Sequence, residues 1–391
     1  MKRDLGASYS PLYFLAALGN GGLAVSFYMY LMFMVPHQGV PMATFDHIFK
    51  AITESHPVVS ALIGLALAAI VWFAVQHIRM LVWNVREYRL FKTTEAYQKL
   101  KASNAEVTLM TMPLTFAMTI NVMFVLGGAF VPGLWSVVEY LFPAALIGFG
   151  VVGYYALKIF SVYFVRLIVN GDFDFVSNNS LAQAIAIFAF AMVSVGFAAP
   201  GAMSHSVAIS AIGLFGAVFF AMIAVSLAMV KLTLGLKSIF KQGIALEAAP
   251  SLWIFIPILT ILGIAAIRMT FGFYHNLLHD QPSPAFMFLL TSAILSLQLM
   301  FGVVGYLVLK KIGYFEQFIH GDKKSAGSYA LICPGVAMFV FGFFFISWGL
   351  VYPGVIEKFS IAYFLFVLPL VYIQYVTTRV LLTLNRKLLT A

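Results

Sequence analysis

The sequence predicts an all-α integral membrane protein of ten transmembrane helices. They pair as five helical hairpins in a single domain, residues 1–391. Three observations predict it. The chain is 62% hydrophobic and only 9% charged, where a soluble domain carries roughly 25% charged residues. Ten apolar runs each approach the ~20 residues that cross a hydrocarbon core. Finally, 20 of the 23 Lys and Arg residues fall at alternate ends of those runs.

The runs cover 11–35, 58–83, 109–131, 134–160, 181–199, 206–230, 252–273, 286–309, 329–351 and 361–382. Only short connections separate them. Lys2 and Arg3 precede the first run, and Arg79, Arg86, Arg89, Lys92, Lys99 and Lys101 follow the second. Lys158 and Arg166 follow the fourth, Lys231, Lys237 and Lys241 the sixth, and Lys310, Lys311, Lys323 and Lys324 the eighth. Arg379, Arg386 and Lys387 close the tenth. Positive residues stay on the cytoplasmic side. Both termini are therefore expected in the cytoplasm, with the chain multi-pass in the inner (plasma) membrane. Met1-Lys-Arg-Asp4 leads into a run too long for a cleaved signal h-region. The net charge of +9 sits at span ends, where it orients helices and does not point to nucleic acid.

One stretch occurs twice. Phe149-Gly-Val-Val-Gly-Tyr154 returns as Phe301-Gly-Val-Val-Gly-Tyr306, with Leu157-Lys158 matching Leu309-Lys310. Two residues out of register, Asn170-Gly171-Asp172 matches His320-Gly321-Asp322. Reuse of one unit is common in transporter folds. The starts of the odd runs also resemble one another. Ser8-Tyr-Ser10, Asn104, Ser177-Asn-Asn-Ser180 and Ser325 with Ser328 are N-cap residues for the first, third, fifth and ninth. Pro11, Pro113, Pro257 and Pro334 mark odd runs, while the fifth has none until Pro200. Proline is harmless in a first turn and kinks a helix deeper in.

Catalytic chemistry finds no support. There is no carboxylate pair inside the bilayer, no metalloprotease or nucleophile-elbow motif and no phosphate loop. No enzyme activity, cofactor or metal is expected. The single cysteine, Cys333, excludes a disulfide within the chain. Glu139 is the acid lying deepest in a span, and an intramembrane acid marks either function or snorkelling to the interface. Arg268, near the outer end of the seventh span, either pairs with Glu139, attracts anions to an outer vestibule, or snorkels. Asn20, within Gly19-Asn-Gly-Gly22, either belongs to a close helix contact or faces a pore. Asn121, Gln183, Gln298 and Gln374 are interhelical glue or weak anion donors. Phe14, Phe116 and Phe339 are candidates to constrict a pore by dewetting. His37, His47, His56, His205, His275 and His279 fall on the outer side, and His77 and His320 on the inner. His275 and His279, four apart beside Asp280, would share a helix face for a metal. Ordinary interfacial histidines have the same pattern.

Ten spans, internal termini, five similar hairpins and proline-marked odd helices together resemble the tellurite-resistance/dicarboxylate transporter family. That family includes the slow-type anion channels. Pro11-Leu-Tyr-Phe14 with Gly19–Gly22 is similar to its first helix, and Tyr329-Ala-Leu-Ile-Cys-Pro334 to the start of its ninth. The resemblance implies a central pore lined by the odd helices, plugged by a phenylalanine beside the ninth-helix proline. Here Cys333 precedes Pro334, so Phe339 or an aromatic of another inner helix would take that role. The resemblance further implies passage of a small anion, contact with membrane lipid, and a homotrimer. Two alternatives are a proton-coupled C4-dicarboxylate or sulfite carrier, using Glu139, and a membrane redox or enzyme subunit.

Overall fold

A computed structural model describes residues 1–175 and 178–390, all as helices and connecting loops, with no strand among them. The helices are α1 (Phe14–Met34), α2 (Phe45–Glu54), α3 (Pro57–Phe91), α4 (Glu95–Lys101), α5 (Thr111–Phe130), α6 (Leu134–Asn170), α7 (Ile185–Met203), α8 (Val207–Gln242), α9 (Phe255–Phe273), α10 (Pro284–Lys311), α11 (Ile332–Phe344) and α12 (Ile361–Leu384). Among the described residues ten helical stretches are long and apolar enough to cross a membrane. The short α2 and α4 lie between them. The chain is a multi-pass membrane protein.

The odd spans are α1, α5, α7, α9 and α11; the even spans are α3, α6, α8, α10 and α12. Each odd span packs on the even span that follows it. The odd spans also contact one another in cyclic order: α1 on α5, α5 on α7, α7 on α9, α9 on α11, and α11 back on α1. Burial follows the same division. In the odd spans 56–89% of the apolar window is buried, in the even spans 17–39%.

All five odd spans start alike. A 3₁₀ turn precedes each: Pro11–Tyr13, Asn104–Met110, Ala182–Ala184, Leu246–Trp253 and Ala326–Leu331. Four of these turns carry the same cap, a serine Oγ accepting from the N–H two residues on. The pairs are Ser10 with Leu12, Ser103 with Ala105, Ser180 with Ala182, and Ser325 with Gly327, at 3.2–3.3 Å. A side-chain oxygen here satisfies a donor that the first turn leaves free. Ser103, not Asn104, caps the third span; Asn104 instead exchanges two hydrogen bonds with the Asp174 backbone. Ser328 is buried and bonds the Tyr314 hydroxyl at 2.8 Å. Ser177 lies outside the described residues. Pro113, Pro257 and Pro334 each stand third in their helices. No carbonyl four residues back inside the same α-helix is lost there.

The even helices α3, α6 and α8 are longer than expected, at 35, 37 and 36 residues. Each runs to roughly 53 Å, well beyond a ~30 Å hydrocarbon core. The surplus carries the basic residues that follow the apolar runs. Gly171, at φ +64°, closes α6. Both termini lie on this same face: the Lys2 N–H donates to Leu389 O at 2.8 Å, and Trp83 Nε1 to Lys2 O at 2.7 Å.

The duplicated hexapeptide falls in two even helices, α6 and α10. Its second glycine is a contact point in both. A Cβ on Gly153 would meet Phe220 and Val193, and one on Gly305 would meet Trp253. The matched turns differ: Gly171 is left-handed, while Gly321 (φ −87°) follows a π turn, Phe315–His320.

Candidate functional site

Direct contacts fix how each odd helix is rotated. On α9, a Cβ on Gly263 would meet Phe341 of α11 at 2.7 Å and Ile294 of α10 at 2.8 Å. Arg268 lies five residues on, about 140° around the helix, on the side turned away from α10. Its Nη1 donates to Val195 O of α7 at 3.1 Å. Val195 is ten residues into the 19-residue α7, so the guanidinium lies near the middle of that helix. Helical side chains lean toward their own N-terminus, which draws Arg268 deeper from its position one turn short of the end of α9. The residue is half-buried. Among the described residues it has no ion-pair partner, and the Val195 carbonyl is its one hydrogen-bond acceptor. A guanidinium has five N–H donors, so most of its capacity is unused.

The same reading places the other candidates. On α11, Gly335 and Gly342 touch Thr377 and Leu370 of α12. Cys333 and Phe344 each lie about 160° around from one of these, on the side away from α12. Phe339 lies about 40° from Gly335 and packs toward α12. It is fully buried, its ring 5.3 Å from Tyr30, whose hydroxyl bonds Gln374 of α12 at 2.8 Å. Pro334 is buried beside Cys333. On α5, Phe116 stacks on Tyr155 of α6, with ring centroids 6.1 Å apart, and meets Phe14 at 6.4 Å. Phe14 itself also meets Tyr88 of α3. Asn121 is turned away from α6, and its amide approaches Met192 Sδ of α7 at 3.5 Å. Asn20 points at α3: its amide donates to Ala16 O at 2.8 Å and to Met80 Sδ at 3.1 Å. On α7, Ser194 bonds Ala217 O of α8. Phe188 lies about 120° around from it, buried at 4% exposure.

Arg268, Asn121, Phe188, Cys333 and Phe344 therefore all turn away from the even helices. Phe14, Phe116, Asn20 and Phe339 do not.

Arg268 and Glu139 do not pair. The Glu139 carboxylate accepts from Ser204 Oγ at 2.8 Å and from the His205 N–H at 2.7 Å, tying α6 to the turn after α7. Gln183 accepts from Tyr163 at 2.7 Å and donates to Asn104 O, and Gln374 donates to Ser26 Oγ at 2.8 Å. Gln298 donates to Ile256 O and Thr260 Oγ1. All three act as links between elements.

The deepest buried ionisable groups were not legible in the sequence. Glu106 is fully buried between Lys101 and Arg166, with Arg166 Nε at 3.0 Å. Glu87, also fully buried, accepts the N–H groups of Asp4 and Leu5. His77 is fully buried where α1, α3 and α5 meet. Its Nδ1 lies 2.8 Å from Ala17 O and its Nε2 2.9 Å from Thr119 Oγ1. Both acids lie near the basic end of the spans, and that position was the available signal. For His77 the four-residue spacing of Thr111, Thr115 and Thr119 on α5 is a polar stripe that needs a partner.

Among the described residues no group of three or more His, Cys, Asp or Glu is arranged to hold a metal. No family model, curated protein or solved structure matches the chain.

Proposed function

We propose that the protein conducts a small anion through a central pore among the five odd helices, with the five hairpins arranged around it. The observation that carries this reading is Arg268. A charge at membrane depth is costly unless it meets protein, water or a counter-charge. Here the guanidinium turns away from the lipid-facing layer and holds one carbonyl. A passing anion would meet its remaining donors, while the absence of a second cation among the side chains named above keeps binding weak enough for release. Along that path Phe188 and Cys333 would line the part near the helix starts, and Asn121, Phe344 and Arg268 the part further along. The odd helices begin on the basic face, so their positive dipole ends favour anions there.

On this reading both termini are cytoplasmic, the membrane is the inner (plasma) membrane, and the assembly is a homotrimer of the tellurite-resistance/dicarboxylate transporter type. Liposome flux with chloride, nitrate, sulfite and malate tests it. Charge-assisted hydrogen bonds contribute about 1.5–3 kcal/mol, so Arg268→Ala lowers anion flux roughly ten- to hundredfold and Arg268→Lys retains part of it. Wild-type flux that Arg268→Ala leaves unchanged overturns the proposal. Flux that follows a pH gradient and is lost in Glu139→Gln would point instead to the proton-coupled carrier.

A further inference from the structure

The spacing of His275 and His279 suggested one metal-binding face. In the structure Tyr274–Leu278 winds as a π turn, and His279 follows it at φ +54°, outside the regular helix. His275 instead meets His205, from the turn between α7 and α8. Their ring centroids are 5.4 Å apart and their planes 67° apart. We propose that His205 and His275 bind a divalent transition-metal ion of the Zn²⁺ class.

Four observations support the site. First, with metal–nitrogen bonds of about 2.1 Å and a tetrahedral angle, two imidazole ligands place their ring centroids roughly 5 Å apart. Second, both side chains are exposed, and among the described residues no ring nitrogen of either makes a hydrogen bond to protein. Third, the backbone under each ring is fixed by its neighbour. Asn276, next to His275, donates to the carbonyl of Ser204, next to His205, at 3.2 Å. Asn276 also bonds Ser210 Oγ at 2.9 Å, and Ser210 bonds Gly201 O. Preorganised ligands bind metal without the cost of ordering them. Fourth, the Glu139 carboxylate, bonded to the His205 N–H, sets a negative charge beside the pair. With two protein ligands, water completes the tetrahedron. Such an ion would pin the outer ends of α7, α8 and α9 together.

The proposal does not depend on anion conduction, because its readout is binding. Full-length protein in detergent micelles is titrated with ZnCl₂ by calorimetry, with Co²⁺ absorption as a second probe. One Zn²⁺ per chain is expected. His205→Ala and His275→Ala each weaken binding by at least about tenfold, and His279→Ala leaves it unchanged. Zn²⁺ also raises the melting temperature of the wild type, as ligand binding to the folded state must. That rise is lost in both ligand variants, whose metal-free melting temperatures match the wild type. Absence of saturable binding, or binding that survives both substitutions, overturns the site.

Discussion

The odd and even spans are about equally apolar, with mean hydropathy of 1.3–2.2 against 1.7–2.6, yet their burial does not overlap. Hydropathy reports that a helix avoids water. It does not report whether lipid or protein covers it, since lipid tails are as apolar as leucine. Close approach at glycines joins the two layers. Gly201 of α7 shows this best. A Cβ on Gly213 of α8 would sit 2.6 Å from its nitrogen, and one on Gly272 of α9 only 2.4 Å from its oxygen. Three glycines thus bring an even helix and an odd helix against α7 at one point. Exposed residues such as Phe215 and Ile212, one turn away or less on the same α8, face outward.

The sharpest way to break the contrast is to fill that junction. Gly213→Ala should destabilise by about 3 kcal/mol, the upper end for overpacking, because the obstructing atoms are backbone and cannot rotate aside. Phe215→Ala, two residues on, should stay within about 0.5 kcal/mol. Thermal unfolding in micelles reads both, and equal effects would mean that the packed and outward faces of α8 do not differ in energy. Second in size is Glu106→Gln, where an odd span is tied to the even helix α6. Breaking a buried ion pair costs about 3–5 kcal/mol. Asp172 still faces Arg166 and Lys101 is partly exposed, so the expected loss is about 2 kcal/mol. A variant as stable as wild type would show that the caps and glycines alone hold this end.

The sequence carried the number of spans, their shared basic face and the resemblance among the odd starts. Those signals are local: run length, charge position and a serine before a turn. It did not carry rotation. A helix such as α7, whose sequence IAIFAFAMVSVGFAAP is apolar on every side, offers no polar face to orient it. Asn20 was therefore open between a pore and a helix contact, and contact with Met80 decides for the contact. Arg268 was read near the outer end of its span, and Glu139 was offered as its partner on charge alone. In three dimensions Val195 O meets Arg268 and Ser204 meets Glu139. The overhang of α3, α6 and α8 was missed because nothing polar stops a helix once it leaves the bilayer; only Gly171 and Gly243 after α6 and α8 do so.

The smallest effect should come from a buried polar residue of the other layer, on the helix paired with that of Arg268. Gln298 of α10 is fully buried and donates to Ile256 O and Thr260 Oγ1 of α9, while its Oε1 has no partner among the described residues. Hydrogen bonds between membrane helices average only about 0.6 kcal/mol, and removing the orphaned oxygen offsets part of that loss. Gln298→Leu is therefore expected to change stability by less than about 1 kcal/mol and to leave anion flux at the wild-type value. Arg268→Ala, on the paired helix, should do the reverse: little change in melting temperature and a large fall in flux. Should Gln298→Leu reduce flux as much as Arg268→Ala does, α10 would line the path, and a division of labour between an inner conducting layer and an outer packing layer would fail at this hairpin.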